Sequence, residues 1–181
     1  MDKCIFLDKD GTLIYDVPYN VDLEKIKLYA DILIPLHELA KRHYKFIIIS
    51  NQSGIARGYF NKEELHSAMD YLIALLQHHE IPISGYYYCP HSDTIETGTC
   101  NCRKPSPDLI FQAAQEHHID LAKSWMIGDI LADIGAGNAS GCRTILLDRN
   151  RKERLLPKIL ETPYAPNYIV DNFYEVIHII C

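Results

Sequence analysis

Short apolar runs alternate with stretches of helical spacing along the chain. Cys4 to Leu7 is an apolar run that ends at Asp8. Phe46 to Ile49, Ile83 to Tyr88, Trp125 to Ile127, Arg143 to Leu147 and Tyr168 to Val170 read as further strands. Asp31 to Tyr44 carries Leu33, Leu36 and Leu39 at helical spacing and ends in basic residues that suit a helix C-terminus. Asn61 opens a second helix to about His79, with Glu64 three residues on as its capping-box partner. Ser106 and Pro107 open a third, as N-cap and first helical residue. Leu131 to Ala139 is a fourth, and Asp171 is placed to cap a last one.

This alternation predicts an α/β fold, a parallel sheet with helices on both faces. In such sheets the ligand site lies beyond the carboxyl ends of the strands. Polar residues collect at those ends: Asp8 and Asp10, then Ser50 and Asn51, then Asp129. A length of 181 residues fits one domain, 1–181, with enough core to dispense with disulfides.

The net charge of −6 argues against nucleic acid as a partner, since the chain has no extended basic face. Its one basic run, Arg149 to Arg154, reads as a solvated loop or helix face. No segment approaches the roughly 20 apolar residues of a membrane span, and the N-terminus does not read as a signal peptide. A cytoplasmic monomer, with neither nucleic acid nor membrane as partner, is the expectation. Six cysteines are then thiols or metal ligands. Cys4, Cys142 and Cys181 read as packing.

Asp8-Lys9-Asp10-Gly11-Thr12-Leu13 delivers two carboxylates from the end of a buried strand. With Mg²⁺ to neutralise a phosphate monoester, Asp8 can attack phosphorus. Asp10 can protonate the leaving alcohol and later take a proton from water. Gly11 permits the turn. Cys89, His91, Cys100 and Cys102 are three thiols and an imidazole in one irregular loop, 89–104, a set suited to tetrahedral Zn²⁺. Four protein ligands leave no open position, so such a zinc is structural and staples the loop that ends at Arg103-Lys104. The glycine-rich stretch from Gly135 to Gly141 lacks dinucleotide-binding spacing.

These strings, in this order, resemble the haloacid dehalogenase (HAD) superfamily of phosphatases. Asp8 to Leu13 is similar to its first motif, Ser50 to the hydroxyl of its second, Lys104 to the lysine of its third, and Asp129 with Asp133 to its acidic fourth. The resemblance implies a Rossmann-like HAD fold without a large cap domain and an aspartyl-phosphate mechanism. Asp8, the backbone carbonyl of Asp10 and Asp129 would hold Mg²⁺, and Asp133 would stand behind them. Ser50 and Lys104 would bind the transferring phosphoryl group. The run Asn51 to Gly58, then Cys89-Pro90-His91, then Cys100 to Pro105, is similar to the zinc-containing bisphosphate phosphatases of heptose metabolism. Histidinol-phosphatase domains share the same loop.

By that likeness, Asp16, Tyr19, Asn51, Gln52, Ser53, Arg57 and Arg103 would contact substrate, and the reaction would be removal of the 7-phosphate from D-glycero-D-manno-heptose 1,7-bisphosphate. Ile130 stands where the heptose enzymes often carry lysine. Histidinol phosphate or another small phosphate ester is the alternative substrate. A zinc-stapled binding protein without catalysis is the alternative of another class, and the intact acidic set argues against it.

Overall fold

The computed structural model describes residues 1–92 and 100–180; the middle of the 89–104 loop and Cys181 lie outside the described residues. Six strands form one sheet: β1 (Cys4–Leu7), β2 (Lys45–Asn51), β3 (Ile83–Cys89), β4 (Trp125–Gly128), β5 (Arg143–Leu147) and β6 (Tyr168–Val170). Their order is β3-β2-β1-β4-β5-β6, and all five pairings are parallel. The chain builds outward from β1 to β3, then returns to lay β4 against the other side of β1. The carboxyl ends of β1 and β4 therefore flank the point where strand order reverses, the usual ligand crevice of such sheets.

The strands are apolar without interruption because both faces are covered. Ile5 and Leu7 face one core with Phe46, Ile48, Ile127 and Ile145. Helices α1 (Leu33–Lys41), α2 (Lys62–His78) and α5 (Val176–Ile179) cover that face. Cys4 and Phe6 face the other with Ile47, Ile49 and Met126, under α3 (Asp108–His117) and α4 (Leu131–Ser140). Truncating a fully buried residue such as Ile47 to alanine would cost about 2–5 kcal/mol. Cys4 and Cys142 are buried thiols in this second core. The glycines of α4 serve packing: a Cβ at Gly137 would lie 2.6 Å from Met126 and Thr144. No helix among the described residues is long and apolar enough to cross a membrane.

Three helix starts differ from the sequence pattern. Asp31 lies in a short 3₁₀ turn (Ala30–Ile32) rather than capping α1; its carboxylate receives Arg149 at 2.5 and 3.0 Å and the Phe173 N–H at 2.8 Å. Asp171 likewise pairs with Arg151 and Arg154 instead of capping the last helix. In α3, Pro107 is the cap residue, and Ser106 Oγ accepts the Asp108 N–H at 3.4 Å. The capping box of α2 forms as expected, with both Asn61–Glu64 bonds at 2.8 Å. Arg149, Arg151 and Arg154 of the 149–154 run thus pair with acids of their own chain, while Arg151 and Lys152 stay exposed on the loop. Asp148 anchors it further, accepting the N–H groups of Lys152, Glu153 and Arg154 and the Nε of Arg154 at 2.8–3.3 Å.

Candidate active site and metal sites

Asp8 follows β1 directly, and its N–H donates to Ile127 O at 3.0 Å, so β1–β4 pairing extends to the edge of the site. Gly11 turns the chain back with φ +81°. A Cβ there would sit 2.1 Å from Asp129 Oδ2, so only glycine admits both the turn and the carboxylate that follows β4. Gly128 does the same for Asp133, whose Oδ2 would lie 2.2 Å from an added Cβ. The site is built by bringing acidic side chains close to bare backbone.

Asp8, Asp129 and Asp133 each offer a carboxylate oxygen within 4.8 Å of the others. Burial, followed by the charges of Asp8 and Asp133, pushes the Asp129 carboxyl up to about 9. Clustered buried carboxylates of this kind call for a cation beyond the one lysine present, and an all-oxygen donor set suits Mg²⁺. The residues fit that ion. The Asp10 side chain lies outside this trio: it meets Lys9 Nζ at 3.2 Å and Gln52 Nε2 at 3.1 Å through Oδ2.

Lys104 is the cation already in place. Its buried ammonium donates to Asp8 Oδ1 at 2.5 Å and Ile49 O at 2.7 Å and lies 2.6 Å from Asp133 Oδ1. Burial alone would lower its pKa; Asp133 and Asp8 outweigh burial and keep it charged. The other Asp133 oxygen accepts the Ile130 N–H at 3.2 Å, so this carboxylate ties the lysine to the start of α4.

Ser50 ends up beside these groups at the end of β2, buried, and accepts from Gln52 Nε2 at 2.8 Å. Asn51 bonds the backbone of Lys104. Its amide nitrogen donates to Lys104 O at 3.2 Å and its oxygen accepts the Lys104 N–H at 3.0 Å. Both halves of the side chain hold the lysine's backbone, and one N–H and one oxygen lone pair are left over. Gln52 is buried and bridges Asp10 to Ser50, again inside the protein. The Ser53 carbonyl accepts the Arg57 N–H at 3.1 Å within the turn. Arg57 lies 5.9 Å from the Tyr19 ring, which meets Tyr59 edge-on at 4.7 Å, joining the loops after β1 and β2. Arg103 Nη1 donates to His91 O at 3.3 Å. Asp16 lines a cleft of about 160 Å³ beside Asp129, with Tyr29, Ile130 and Lys152. Lys9, buried between two acids, escaped the sequence reading; a cation inside Asp-x-Asp at the end of a buried strand was the available signal.

Cys89, His91, Cys100 and Cys102 converge with ligand atoms within 4.8 Å of one another. Cys89 Sγ lies 3.5 Å from Cys100 Sγ and 3.6 Å from His91 Nδ1. Cys102 Sγ lies 3.7 Å from Cys100 Sγ and 3.2 Å from His91 Nδ1. A tetrahedron with bonds of about 2.0–2.3 Å has edges of about 3.5–3.8 Å. The four residues therefore fit zinc. Cys89 ends β3, and its carbonyl accepts the Gln52 N–H at 2.7 Å, so the cluster is fixed to the loop that carries Gln52.

A family model described as HAD-hydrolase-like matches residues 101–176. The D-glycero-β-D-manno-heptose-1,7-bisphosphate 7-phosphatase of Haemophilus influenzae is 33% identical over 179 residues, 97% of this chain and 95% of that protein. The enzyme of the same name from Escherichia coli K12 is 34% identical over 176 residues, 95% of this chain and 90% of that protein. The crystal structure of D,D-heptose 1,7-bisphosphate phosphatase from B. bronchiseptica, complexed with magnesium and phosphate, superposes with a TM-score of 0.83 at 26% identity. It covers 98% of this chain and 97% of that one. Sheet order, the acidic cluster at the switch point and near-full-length identity agree: this chain belongs to the HAD-like family of D-glycero-β-D-manno-heptose-1,7-bisphosphate 7-phosphatases.

Proposed function

We propose that the protein hydrolyses a small sugar bisphosphate, D-glycero-D-manno-heptose 1,7-bisphosphate, at its 7-phosphate. The observation that carries this reading is the convergence of Asp8, Asp129, Asp133 and Lys104 at the β1/β4 switch point. Mg²⁺ held by Asp8, the Asp10 carbonyl and Asp129 would neutralise the phosphoryl oxygens and admit an anionic nucleophile. Asp8 attacks phosphorus. Asp10 gives a proton to the leaving alcohol, then takes one from the water that hydrolyses the aspartyl-phosphate. Lys104 balances the negative charge on the phosphoryl group, and Ser50 donates its hydroxyl to a phosphoryl oxygen. With its three contacts taken, Lys104 exchanges one of them, the Asp8 bond, for the substrate.

Arg103, Arg57, Tyr19, Asp16 and Ser53 form the substrate rim in this reading, with Asp133 as support for Lys104. Zn²⁺ on Cys89, His91, Cys100 and Cys102 fixes the loop that delivers Arg103 and Lys104. The protein acts as a cytoplasmic monomer, with neither nucleic acid nor membrane as partner. Ile130, 42% exposed on the cleft wall, offers an apolar contact where a second phosphate would gain from a cation, and this favours histidinol phosphate as the second candidate.

Mg²⁺-dependent phosphate release on the two substrates side by side decides between them. A preference of a hundredfold or more in kcat/KM for the bisphosphate, about 2.7 kcal/mol of transition-state binding, supports the sugar reading. A preference for histidinol phosphate moves the substrate and keeps the chemistry.

A further inference from the structure

Tyr29 lines the cleft beside Asp129, together with Asp16 and Ile130. Both faces of its ring are covered. The guanidinium carbon of Arg149 stands 3.9 Å over the ring centre. The ring centre of Tyr15 lies 4.1 Å away, tilted by 39°. Two groups this close to one ring centre sit on opposite faces, since on one face they would overlap. Arg149 is itself fixed, by Asp31 at 2.5 and 3.0 Å and by the Thr12 carbonyl at 3.5 Å. The Tyr29 N–H donates to Leu13 O at 3.0 Å. A ring held at its backbone and on both faces has only its edge and its hydroxyl to offer the cleft. No group among the described residues bonds that hydroxyl, and it reaches solvent. Burial raises its pKa, and the charges of Asp129 and Asp16 add to this, so both acids are felt at the phenol oxygen. Glu153, on the facing wall, is turned inward, its carboxylate accepting the Leu131 N–H at 2.8 Å.

We propose that Tyr29 is a specificity-determining residue whose hydroxyl hydrogen-bonds a hydroxyl of the leaving alcohol. The proposal rests on the sugar-phosphate reading above and names the group in the cleft that recognises a polyol. A sugar hydroxyl both donates and accepts. It can accept from the Tyr29 O–H and donate to the Asp16 carboxylate in the same cleft. The clamp matters because a donor already held in place loses little freedom when substrate binds. A site built to bond a substrate hydroxyl also discriminates against esters that lack one, since its own polar group is then left without a partner. Arg149 and Tyr15 are positioning residues in this arrangement, acting through the ring they enclose.

Tyr29→Phe tests this in the full-length enzyme with Mg²⁺, because it removes the hydroxyl and keeps the ring between Arg149 and Tyr15. On heptose 1,7-bisphosphate it is expected to lower kcat/KM about 3–10-fold, the size of one uncharged hydrogen bond, with the loss carried mainly by KM. Inorganic phosphate occupies the phosphoryl position alone, so its inhibition constant is expected to change less than about twofold. Tyr29→Leu, which also removes the ring, is expected to raise KM at least as much as Tyr29→Phe. An unchanged KM in Tyr29→Phe, or an equal weakening of inorganic phosphate, would overturn the proposal while leaving the phosphatase reading intact. A wild-type protein inactive on the heptose bisphosphate would instead remove the sugar reading and the inference with it.

Discussion

Lys104 Nζ donates to Asp8 Oδ1 at 2.5 Å across 96 residues of sequence, and both groups are buried. A cation so placed pairs with the candidate nucleophile and with Asp133 behind it. Lys104→Met is expected to cut turnover about 10²–10³-fold, the usual effect of removing one charge-stabilising donor. Removing one member of a buried ion network also costs about 3–5 kcal/mol. Steady-state kinetics and urea unfolding in metal-free buffer check the two effects separately.

Asn51 is expected to act through Lys104, because each of its amide atoms makes a bond to the lysine's backbone. Asn51→Ala is expected to lower kcat about 10-fold or more, from roughly 1–3 kcal/mol of lost anchoring, with KM nearly unchanged. A rise in KM at constant kcat would return Asn51 to the substrate-contact role.

The Cys/His cluster predicts about one Zn²⁺ per chain in purified protein. Cys100→Ser or Cys102→Ser is expected to lose the metal and to reduce activity, because the cluster is two residues from Lys104. Elemental analysis together with kinetics at saturating Mg²⁺ is the check. Zinc loss with unchanged activity would uncouple the staple from the lysine.

The loop after β5 is expected to be acid-sensitive through Asp148. Burial raises its pKa, but Arg154 and the backbone N–H groups of Arg154, Lys152 and Glu153 outweigh that and hold it below the ordinary carboxylate value. A depressed folded pKa contributes stability that is complete above the unfolded value and is lost as pH falls through the folded one. Asp148→Asn should therefore be less stable than wild type by about 1–3 kcal/mol at pH 7, with the gap closing below about pH 4. Urea unfolding across pH 7 to 3 measures it.

The strands were legible because two covered faces leave no polar positions in Cys4–Leu7, in 46–49 or in 125–127 until the chain reaches the site. The acidic chemistry was legible because Asp-x-Asp-Gly and Gly-Asp follow such strands. Partnerships across the fold were not. Asp31 and Asp171 stand where an N-cap would, but a cap is worth about 1 kcal/mol, and arginines brought near by the fold took both carboxylates instead. Nothing local to Asn51 names Lys104, 53 residues away, as its partner in the fold. The 3₁₀ turns between Glu153 and Tyr164 have too little periodicity to read.

The central claim is that Asp8 is the nucleophile of a Mg²⁺-dependent phosphatase. Asp8→Asn keeps the side chain's shape and removes its charge. The direct measurement is phosphate release from heptose 1,7-bisphosphate by wild type and Asp8→Asn, each with Mg²⁺ and with EDTA, alongside circular dichroism to show that both are folded. The expected result is turnover by wild type only when Mg²⁺ is present, and a folded Asp8→Asn protein at least about 10³-fold slower. A folded Asp8→Asn protein with near-wild-type turnover would contradict the aspartyl-phosphate mechanism.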